Sequence, residues 1–378
     1  MSPNNVIELL QALVRIPSVN PHGDAGVPET GEKHCAEFIG GFLASIGAKV
    51  ELREVQPGRP NVVGIFPTDK PGRDRIIFAP HTDTVSVVGM TIDPFSGELR
   101  DGRVWGRGSS DTKGTAAAML WALRELREKI PALPYEIWFA GLMSEEAGQD
   151  GSKAFSAELR ADCDARGVKA FALVGEPTGC DIVHAHKGAL WLTLTTRGRA
   201  GHASTPEKFD NAIYKMADAI RCIRDEIAPA FVKISNPILG SPSISAGVIR
   251  GGSKTNIVPD QCTAEIDIRV IPGEFDTLDF VAGKLRAASP GIEIVPLISP
   301  PLHTDPAHPL IRALETAGGK CVGASWFCDA SIFAQAGIPA VAAGPGSIAQ
   351  AHTADEFLAV ADLEAGVEFY KRFLEAAR

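Results

Sequence analysis

The chain has 378 residues, of which 45% are hydrophobic and 22% charged, values typical of a folded globular protein of one or two domains. It carries 46 acidic side chains against 37 Lys and Arg, a formal net charge of −9, and no apolar run approaches the roughly 18 residues that a membrane span needs. These values argue against a nucleic-acid partner and against a membrane partner.

The seven cysteines are scattered and contain no CxxC pair, which argues against a thiolate zinc site and against a disulfide framework. Any metal ion is therefore expected to bind to His and carboxylate side chains. The first twenty residues lack the basic and apolar regions of a secretory leader, and this composition predicts a cytoplasmic protein.

The first half of the chain alternates apolar strands with helices. Nearly continuous apolar runs are typical of strands that are covered on both faces, and an Ala-rich stretch is typical of a helix. The predicted elements are a helix over 5–15, strands over 49–55, 61–66 and 75–79, a helix over 114–128 and a strand over 135–141. This order predicts an α/β domain whose mixed, largely parallel sheet is flanked by helices.

After residue 187 the pattern changes to strands of alternating polarity and two helices, which predicts an α+β domain with the helices on one face of an antiparallel sheet. A Pro-rich linker then returns the chain to the α/β pattern. The predicted elements are helices over 211–226 and 275–288, a strand over 292–298, helices over 310–317 and 330–336, a strand over 339–344 and a helix over 362–377. We therefore predict a discontinuous domain, 1–187 and 301–378, interrupted by an inserted domain at 188–300.

The strongest local signal for chemistry is His81 in the segment FAPHTDTV. It directly follows an apolar strand, and ligands of open α/β sheets collect outside the carboxyl ends of the strands. Asp83 is placed to accept the second imidazole N–H, which would leave one nitrogen of His81 for a metal ion. The alternative is a histidine that merely ends a strand.

Carboxylates occupy similar positions elsewhere. Asp111 precedes the Ala-rich helix, where it could also be an N-cap; Glu145 and Glu146 follow the strand at 135–141; and Glu176 ends a further apolar run. Adjacent acids such as Glu145 and Glu146 repel each other unless a cation or a shared proton compensates, although ordinary surface acids are the simpler alternative.

His352 follows a Gly-rich loop late in the chain, and Asp355 and Glu356 are near enough in sequence to orient it. Each of these strand ends is a weak signal alone. Together they deliver two imidazoles and several carboxylates to one edge of the sheet, a donor set that predicts a site for two metal ions.

The segments HTDTV, GRGSSDTKG, SEE, GEPT and AHTADE, in this order, resemble the M20 family of co-catalytic metallopeptidases and N-acyl amino acid deacylases. The resemblance extends over essentially the whole chain and is greatest for the acetylornithine deacetylase and succinyl-diaminopimelate desuccinylase branch. It implies that 1–187 and 301–378 form a catalytic metal-binding domain, and that 188–300 form a lid that mediates a homodimer.

The resemblance also implies roles for individual residues. Asp111 would bridge two divalent ions, Zn²⁺ first and Co²⁺ or Mn²⁺ as alternatives, while Glu145 would be the general base and Asp83 would orient His81. The remaining metal ligands would be His81 and Glu176 on one ion and Glu146 and His352 on the other.

Residues outside the metal site are weaker signals. Taken alone, His202 in a small-residue loop and Arg269 on an alternating strand are typical of solvated side chains. The resemblance implies that His202 stabilises the oxyanion in the partner subunit's site, and that Asn256 and Arg269 hold the substrate carboxylate. Gly346 would lie in a loop against the substrate, and Asp329 would pair with a substrate ammonium or cap the next helix.

We therefore expect an enzyme that hydrolyses the amide bond of a small N-acyl amino acid, with N-acetylornithine as the leading substrate. The alternatives are an M20-type di- or carboxypeptidase, a succinyl-diaminopimelate desuccinylase-like deacylase, and a non-catalytic binding dimer. A serine hydrolase is disfavoured because no G-x-S-x-G segment occurs, and a phosphate-binding loop because no G-x-x-x-x-G-K-[ST] segment occurs.

Overall fold

The computed structural model describes residues 3–22, 30–273 and 275–377. In these ranges the helices are α1 (Val6–Val14), α2 (Lys33–Ser45), α3 (Lys113–Leu126), α4 (Asp150–Arg166), α5 (Ala212–Cys222), α6 (Ala228–Phe231), α7 (Thr277–Ala288), α8 (Pro309–Ala317), α9 (Ala330–Gln335) and α10 (Val360–Ala376). None of the helices in the described residues combines the length and the apolar character that a membrane crossing requires.

The same ranges contain strands β1 (Lys49–Gln56), β2 (Arg59–Ile65), β3 (Arg75–Pro80), β4 (Glu98–Arg100), β5 (Arg103–Trp105), β6 (Glu136–Gly141), β7 (Ala170–Gly175), β8 (Ile182–His186), β9 (Gly188–Arg197), β10 (Gly201–His202), β11 (Ser243–Gly251), β12 (Ile257–Val258), β13 (Gln261–Val270), β14 (Glu293–Ser299), β15 (Leu302–His303), β16 (Cys321–Ala324), β17 (Ala340–Ala342) and β18 (Phe357–Ala359).

The chain divides into two compact units. The first comprises Met1–His184, Thr304–Val322 and Cys328–Arg378, and the second comprises Ala185–His303 and Gly323–Phe327. The sequence-based division differs at residues 185–187, 301–303 and 323–327, all of which it assigned to the discontinuous domain. Within the second unit the Phe327 ring packs edge-on against Trp191, at a centroid distance of 6.2 Å, a contact that no local pattern indicates.

The sheet of the first unit has the strand order β1-β2-β6-β3-β7-β17-β8. The neighbours β6, β3, β7 and β17 are parallel, whereas β1 and β2 form an antiparallel hairpin at one edge and β8 is antiparallel to β17. All six residues of β3 are buried, as expected for a strand covered on both faces. The predicted mixed, largely parallel α/β sheet is confirmed.

Aromatic packing between β3 and the last helix contributes to the core of this unit. The Phe78 ring of β3 lies edge-on to Tyr370 and Phe373 of α10, with centroids 5.7 and 6.3 Å apart.

The predicted first helix is α1, and it begins where the Asn5 side chain accepts a hydrogen bond from Glu8 N–H. This N-cap fixes the start of a helix whose apolar side is buried.

The second unit contains the antiparallel sheet β11-β13-β9-β14. Residues of β9 and β13 alternate between buried and more exposed positions, and the buried ones pack with α5 and α7 around residues such as Leu192, Ile266 and Val281. The predicted α+β unit with two helices on one face of a sheet is therefore observed. The helix predicted over 211–226 continues from α5 through a π-helical turn, Ile223–Ile227, into α6.

The two ends of the long segment of the second unit are hydrogen-bonded neighbours. In the short β8–β15 ladder His303 pairs with Ala185. One residue further out, Thr304 N–H donates to the His184 carbonyl oxygen at 2.8 Å. The chain thus leaves and re-enters the first unit at adjacent points.

Candidate metal centre

Three adjacent parallel strands end at the same edge of the sheet of the first unit, and each is followed by an ionisable side chain. His81 follows β3, Glu145 and Glu146 follow β6, and Glu176 comes directly after β7. Because β6, β3 and β7 are neighbours in register, their carboxyl ends bring these residues together.

Asp111 reaches this edge from the loop before α3, and its two carboxylate oxygens contact different imidazoles. Oδ1 lies 3.1 Å from Nε2 of His81, and Oδ2 lies 3.4 Å from Nε2 of His352. Thr112, which follows Asp111 across a cis peptide bond, donates its hydroxyl to the Gly175 carbonyl at 2.8 Å and so ties this loop to the end of β7.

His352 joins the cluster from the far end of the chain. Its Nε2 lies 3.2 Å from Oε1 of Glu146, and its backbone adopts a left-handed conformation with φ of 64°. Among the described residues, three sets have ligand atoms within 4.8 Å of one another: His81, Asp111 and Glu176; Asp111, Glu146 and His352; and His81, Glu145 and Glu146. Asp111 belongs to the first two sets, as a residue shared by two ions would.

Burial and mutual repulsion dominate the electrostatics of the cluster. Burial and the Glu176 charge raise the pKa of Glu145 well above its usual range, and burial and the Asp111 charge do the same for Glu176. Hydrogen bonds to Asp111 and Glu146 raise the pKa of His352 to about 10. The site as a whole favours bound positive charge.

The donor set fits divalent cations. In the part of the chain that the structure describes, no Lys or Arg forms an ion pair with Asp111, Glu145, Glu146 or Glu176. The Glu176 Oε1 atom is buried and, among the described residues, has no hydrogen-bond partner. Buried carboxylates require a paired charge or a metal ion, and two imidazoles with several carboxylates are a donor set typical of zinc and similar ions.

Asp83 is fully buried, and its carboxylate mainly holds the segment that carries the two adjacent acids. It accepts hydrogen bonds from the main-chain N–H groups of Glu145 and Glu146, both at 3.0 Å, and from Asn20 Nδ2 at 2.8 Å. The His81 Nδ1 lies nearer to the main-chain oxygen of Asp83, at 3.0 Å, than to its carboxylate, at 3.4 Å. No sequence pattern indicates Asn20 or these main-chain contacts, because any residue except proline can supply such an N–H group.

The prediction that Glu356 orients His352 is wrong. Glu356 is fully buried and pairs with Arg107 Nη1 at 2.7 Å, and it also accepts main-chain N–H groups of the loop before Asp111. The His352 imidazole contacts Asp111 and Glu146 instead.

Gly346 packs closely against the loop before α3. Its φ of 89° lies in the left-handed region, and a Cβ atom there would lie 2.8 Å from Ser110 Oγ and 2.9 Å from Leu358 Cδ1. A residue with a side chain would therefore displace this loop or strain the backbone.

Asp329 is buried at the start of α9, yet its side chain makes no capping hydrogen bond, so the predicted N-cap is wrong. Oδ1 accepts hydrogen bonds from Ser152 Oγ at 2.5 Å and from Gln149 Nε2 at 3.3 Å. Oδ2 is buried and has no hydrogen-bond partner among the described residues. Burial raises the pKa of Asp329 to about 6.

The remaining predicted residues lie in the second unit. Nδ1 of the exposed His202 lies 2.7 Å from the Ser204 hydroxyl and 3.2 Å from the Ser204 main-chain nitrogen. Asn256 is exposed, and its carbonyl accepts Ala203 N–H. Arg269 pairs with Asp267 at 3.1 Å.

The sequence profile of Peptidase family M20/M25/M40 matches residues 77–376. The chain belongs to this family. It is 31% identical to the acetylornithine deacetylase of Pectobacterium atrosepticum, over 93% of this chain and 92% of that protein. It is 29% identical to the acetylornithine deacetylase of Proteus mirabilis, over 98% and 96%. The chain is accordingly a hydrolase of the M20 family.

Solved structures support the same fold. The M20 family metallo-carboxypeptidase of Sulfolobus solfataricus superposes with a TM-score of 0.79 at 17% identity, covering 99% of both chains. At 17% identity, this similarity shows that the two proteins share a fold. It extends over both units of the chain, and the predicted fold class is confirmed.

Proposed function

We propose that this chain is a two-metal deacylase that hydrolyses the amide bond of a small N-acyl amino acid, with N-acetylornithine as its substrate. The observation that carries the proposal is the position of Asp111, whose two oxygens contact the imidazoles of His81 and His352. A carboxylate in this position is suited to bridging two ions. The choice of substrate is supported by two relatives that match nearly the whole chain, because both are acetylornithine deacetylases.

In the proposed centre, Asp111 is shared by two ions. His81 and Glu176 complete the ligands of one ion, and Glu146 and His352 complete those of the other. When bound, a pair of divalent ions polarises the scissile carbonyl and lowers the pKa of a water molecule.

Glu145 is the proposed general base. It is absent from both ligand sets that contain Asp111, and it lies beside His81 and Glu146. Burial and neighbouring negative charge raise its pKa well above its usual range. As the base it would take a proton from a water molecule and pass it to the leaving amine. The Asp83 carboxylate fixes the main chain of Glu145 and so sets its position.

Residues of the second unit are proposed to bind the acyl amino acid. Nε2 of His202 is proposed to donate a hydrogen bond to an oxyanion, because Nδ1 already contacts Ser204. Arg269 and Asn256 are proposed to hold the substrate carboxylate. In the first unit, Gly346 is proposed to line the site, and the Asp329 oxygen that has no hydrogen-bond partner among the described residues is proposed to pair with a side-chain ammonium.

Three further parts of the proposal come from the sequence alone. They are Zn²⁺ as the working ion, with Co²⁺ or Mn²⁺ as alternatives, a homodimer formed through the second unit, and a cytoplasmic location. Mixed imidazole and carboxylate sites accept several divalent ions, so the metal is set by availability as well as by ligands.

The proposal is tested by measuring amine release from a panel of N-acetyl, N-formyl and N-succinyl amino acids and of dipeptides. Chelated protein is compared with the same protein after Zn²⁺ or Co²⁺ is added back. We expect metal-restored release that is greatest for N-acetylornithine. Preference for N-succinyl-diaminopimelate or for dipeptides would replace the proposed substrate, and hydrolysis unaffected by chelation would overturn the two-metal mechanism.

A further inference from the structure

Glu356 accepts four hydrogen bonds, and all four donors belong to one short loop. Oε2 accepts Arg107 Nη1 at 2.7 Å and Gly108 N–H at 3.1 Å. Oε1 accepts Ser110 N–H at 2.9 Å and Asp111 N–H at 3.0 Å. The last of these amides belongs to the residue whose side chain contacts both His81 and His352.

The main chain around Glu356 is attached to the same loop. Its carbonyl oxygen accepts Gly106 N–H at 3.0 Å, and the next residue, Phe357, pairs with Trp105 in the β18–β5 ladder. Main-chain hydrogen bonds thus join the segment that follows His352 to the loop that precedes Asp111. This connection is separate from the side-chain contacts of the metal centre itself.

We propose that Glu356 is a positioning residue that fixes the bridging carboxylate of Asp111 by holding the main-chain N–H groups of Ser110 and Asp111. The proposal rests on the two-metal centre proposed above. Charge-assisted hydrogen bonds to main-chain amides are short and directional, and hydrogen-bond partners that orient metal ligands are usually important for metal affinity.

The chemistry of an amide side chain at this position provides the test. In Glu356→Gln one of the two oxygens becomes an NH₂ group, which cannot accept a hydrogen bond. The Arg107 guanidinium, together with the Gly108 N–H, requires the remaining oxygen, so the NH₂ group would face the Ser110 and Asp111 amides. In the double variant Arg107→Met and Glu356→Gln only the Gly108 N–H remains on that side, so the amide oxygen can turn towards the two donors Ser110 and Asp111 at the cost of the single Gly108 hydrogen bond.

The experiment measures metal binding by the full chain with a competing chelator, together with the visible spectrum of the Co²⁺-loaded protein. For Glu356→Gln we expect the Kd of the more weakly held ion to rise roughly 10- to 100-fold, with an altered Co²⁺ spectrum. For the double variant we expect the Kd to return to within a few-fold of that of the wild type. The exposed Glu364, changed to Gln, is the matched control on α10 and should leave both readouts unchanged.

Each result is decisive. Unchanged Kd values in Glu356→Gln would overturn the positioning role. So would a double variant as weak as the single one, because the Arg107 ion pair would then be what matters. Failure of both variants to fold, judged by cooperative unfolding of the metal-free proteins, would also overturn it by making Glu356 a residue of the fold. A wild-type chain that does not bind two ions would instead refute the proposed metal centre.

Discussion

The Asp83 carboxylate accepts a hydrogen bond from the main-chain N–H of Glu145, with 3.0 Å between Oδ1 and the nitrogen. Its other oxygen does the same for Glu146. A single buried side chain therefore sets the main-chain position of the proposed base and of a proposed metal ligand. The main chain of both adjacent acids is thus held by the same carboxylate.

The substitution Asp83→Asn tests that relationship. An NH₂ group would replace one acceptor and face an amide donor, so the segment of Glu145 and Glu146 would shift. We expect metal affinity to fall roughly 10- to 100-fold, measured by elemental analysis during chelator titration, with a parallel loss of kcat. The exposed Asp69, changed to Asn, is the control. Wild-type affinity and kcat in Asp83→Asn would exclude a positioning role for this carboxylate.

The substitution Glu145→Gln removes the proposed base and keeps its shape. Because an amide cannot take up a proton, we expect kcat for deacylation to fall by roughly 10²- to 10⁴-fold. The metal content should stay at that of the wild type, since Glu145 is not among the proposed ligands. The exposed Glu128, changed to Gln, should have no effect on either quantity. A variant that turns over at the wild-type rate would remove Glu145 from the mechanism.

Metal removal should change stability as well as activity. The buried carboxylates of the cluster repel one another, and bound cations relieve this repulsion in the folded state. At a free metal concentration of 100 times the Kd, we expect a gain of about 2.7 kcal/mol per binding site in the free energy of unfolding. Denaturant titration of chelated and reloaded protein measures it. Equal stability of the two forms would contradict a buried metal centre.

The substitution His202→Ala tests the proposed oxyanion donor. Loss of the Nε2–H donor should lower kcat by roughly 10²- to 10³-fold, because the interaction forms mainly in the transition state. KM and metal content should change little. His34, an exposed residue of the first unit, is the control for removal of an imidazole. A change confined to KM would instead assign His202 to substrate binding.

The ion pair between the buried Arg75 and Asp162 should make a pH-dependent contribution to the free energy of unfolding. Burial tends to raise the pKa of its partner Asp162, but hydrogen bonds from Arg166 and Arg75 outweigh this and hold that pKa below its usual range. A lowered pKa in the folded state means that the stabilisation is present above the unfolded-state pKa, about 3.9, and is lost as the pH falls through the folded-state value.

We therefore expect Asp162→Asn to cost about 1 kcal/mol at pH 7, a modest value because Asp162 is partly exposed and Arg75 keeps Glu136 as a partner. The difference from the wild type should shrink below about pH 4, as urea unfolding at several pH values would measure. Asp164→Asn on the same helix breaks an exposed pair and should cost roughly half as much or less. A cost for Asp162→Asn that is independent of pH would contradict the ion-pair explanation.

The strands next to the site could be predicted because burial on both faces leaves a continuous apolar run, as in β3 and β7. The helices α2 and α4 could not. Gly40 and Gly41 interrupt the apolar pattern of α2, and at Gly40 a Cβ atom would lie 3.2 Å from Val50 Cγ1, closer than an ordinary van der Waals contact. In α4, seven of the 17 residues are charged, which obscures its apolar pattern. Both helices depend on tertiary packing against β1 and β2, which sequence periodicity does not contain.

The candidate site shows the same limit. Its imidazoles and carboxylates could be recognised in the sequence because several directly follow apolar runs. The structure brings His81, Asp111 and Glu146 together with the other predicted metal ligands. The roles of these residues stay predictions. The positions of Asp83 and Glu356 could not be interpreted correctly. Their main partners are main-chain amides of distant segments, and every residue except proline offers such a donor.

The pairing of His303 with Ala185 has a consequence for how the chain is built. The chain leaves the first unit after His184 and returns at Thr304, whose N–H donates to the His184 carbonyl, so the two crossing points are neighbours. The proposed metal ligands all belong to that unit, whereas His202, Asn256 and Arg269 belong to the other. With the roles proposed above, exchange of the segment 185–303 between relatives would change the residues proposed to bind the substrate and keep the proposed metal ligands, a modular route to new specificities.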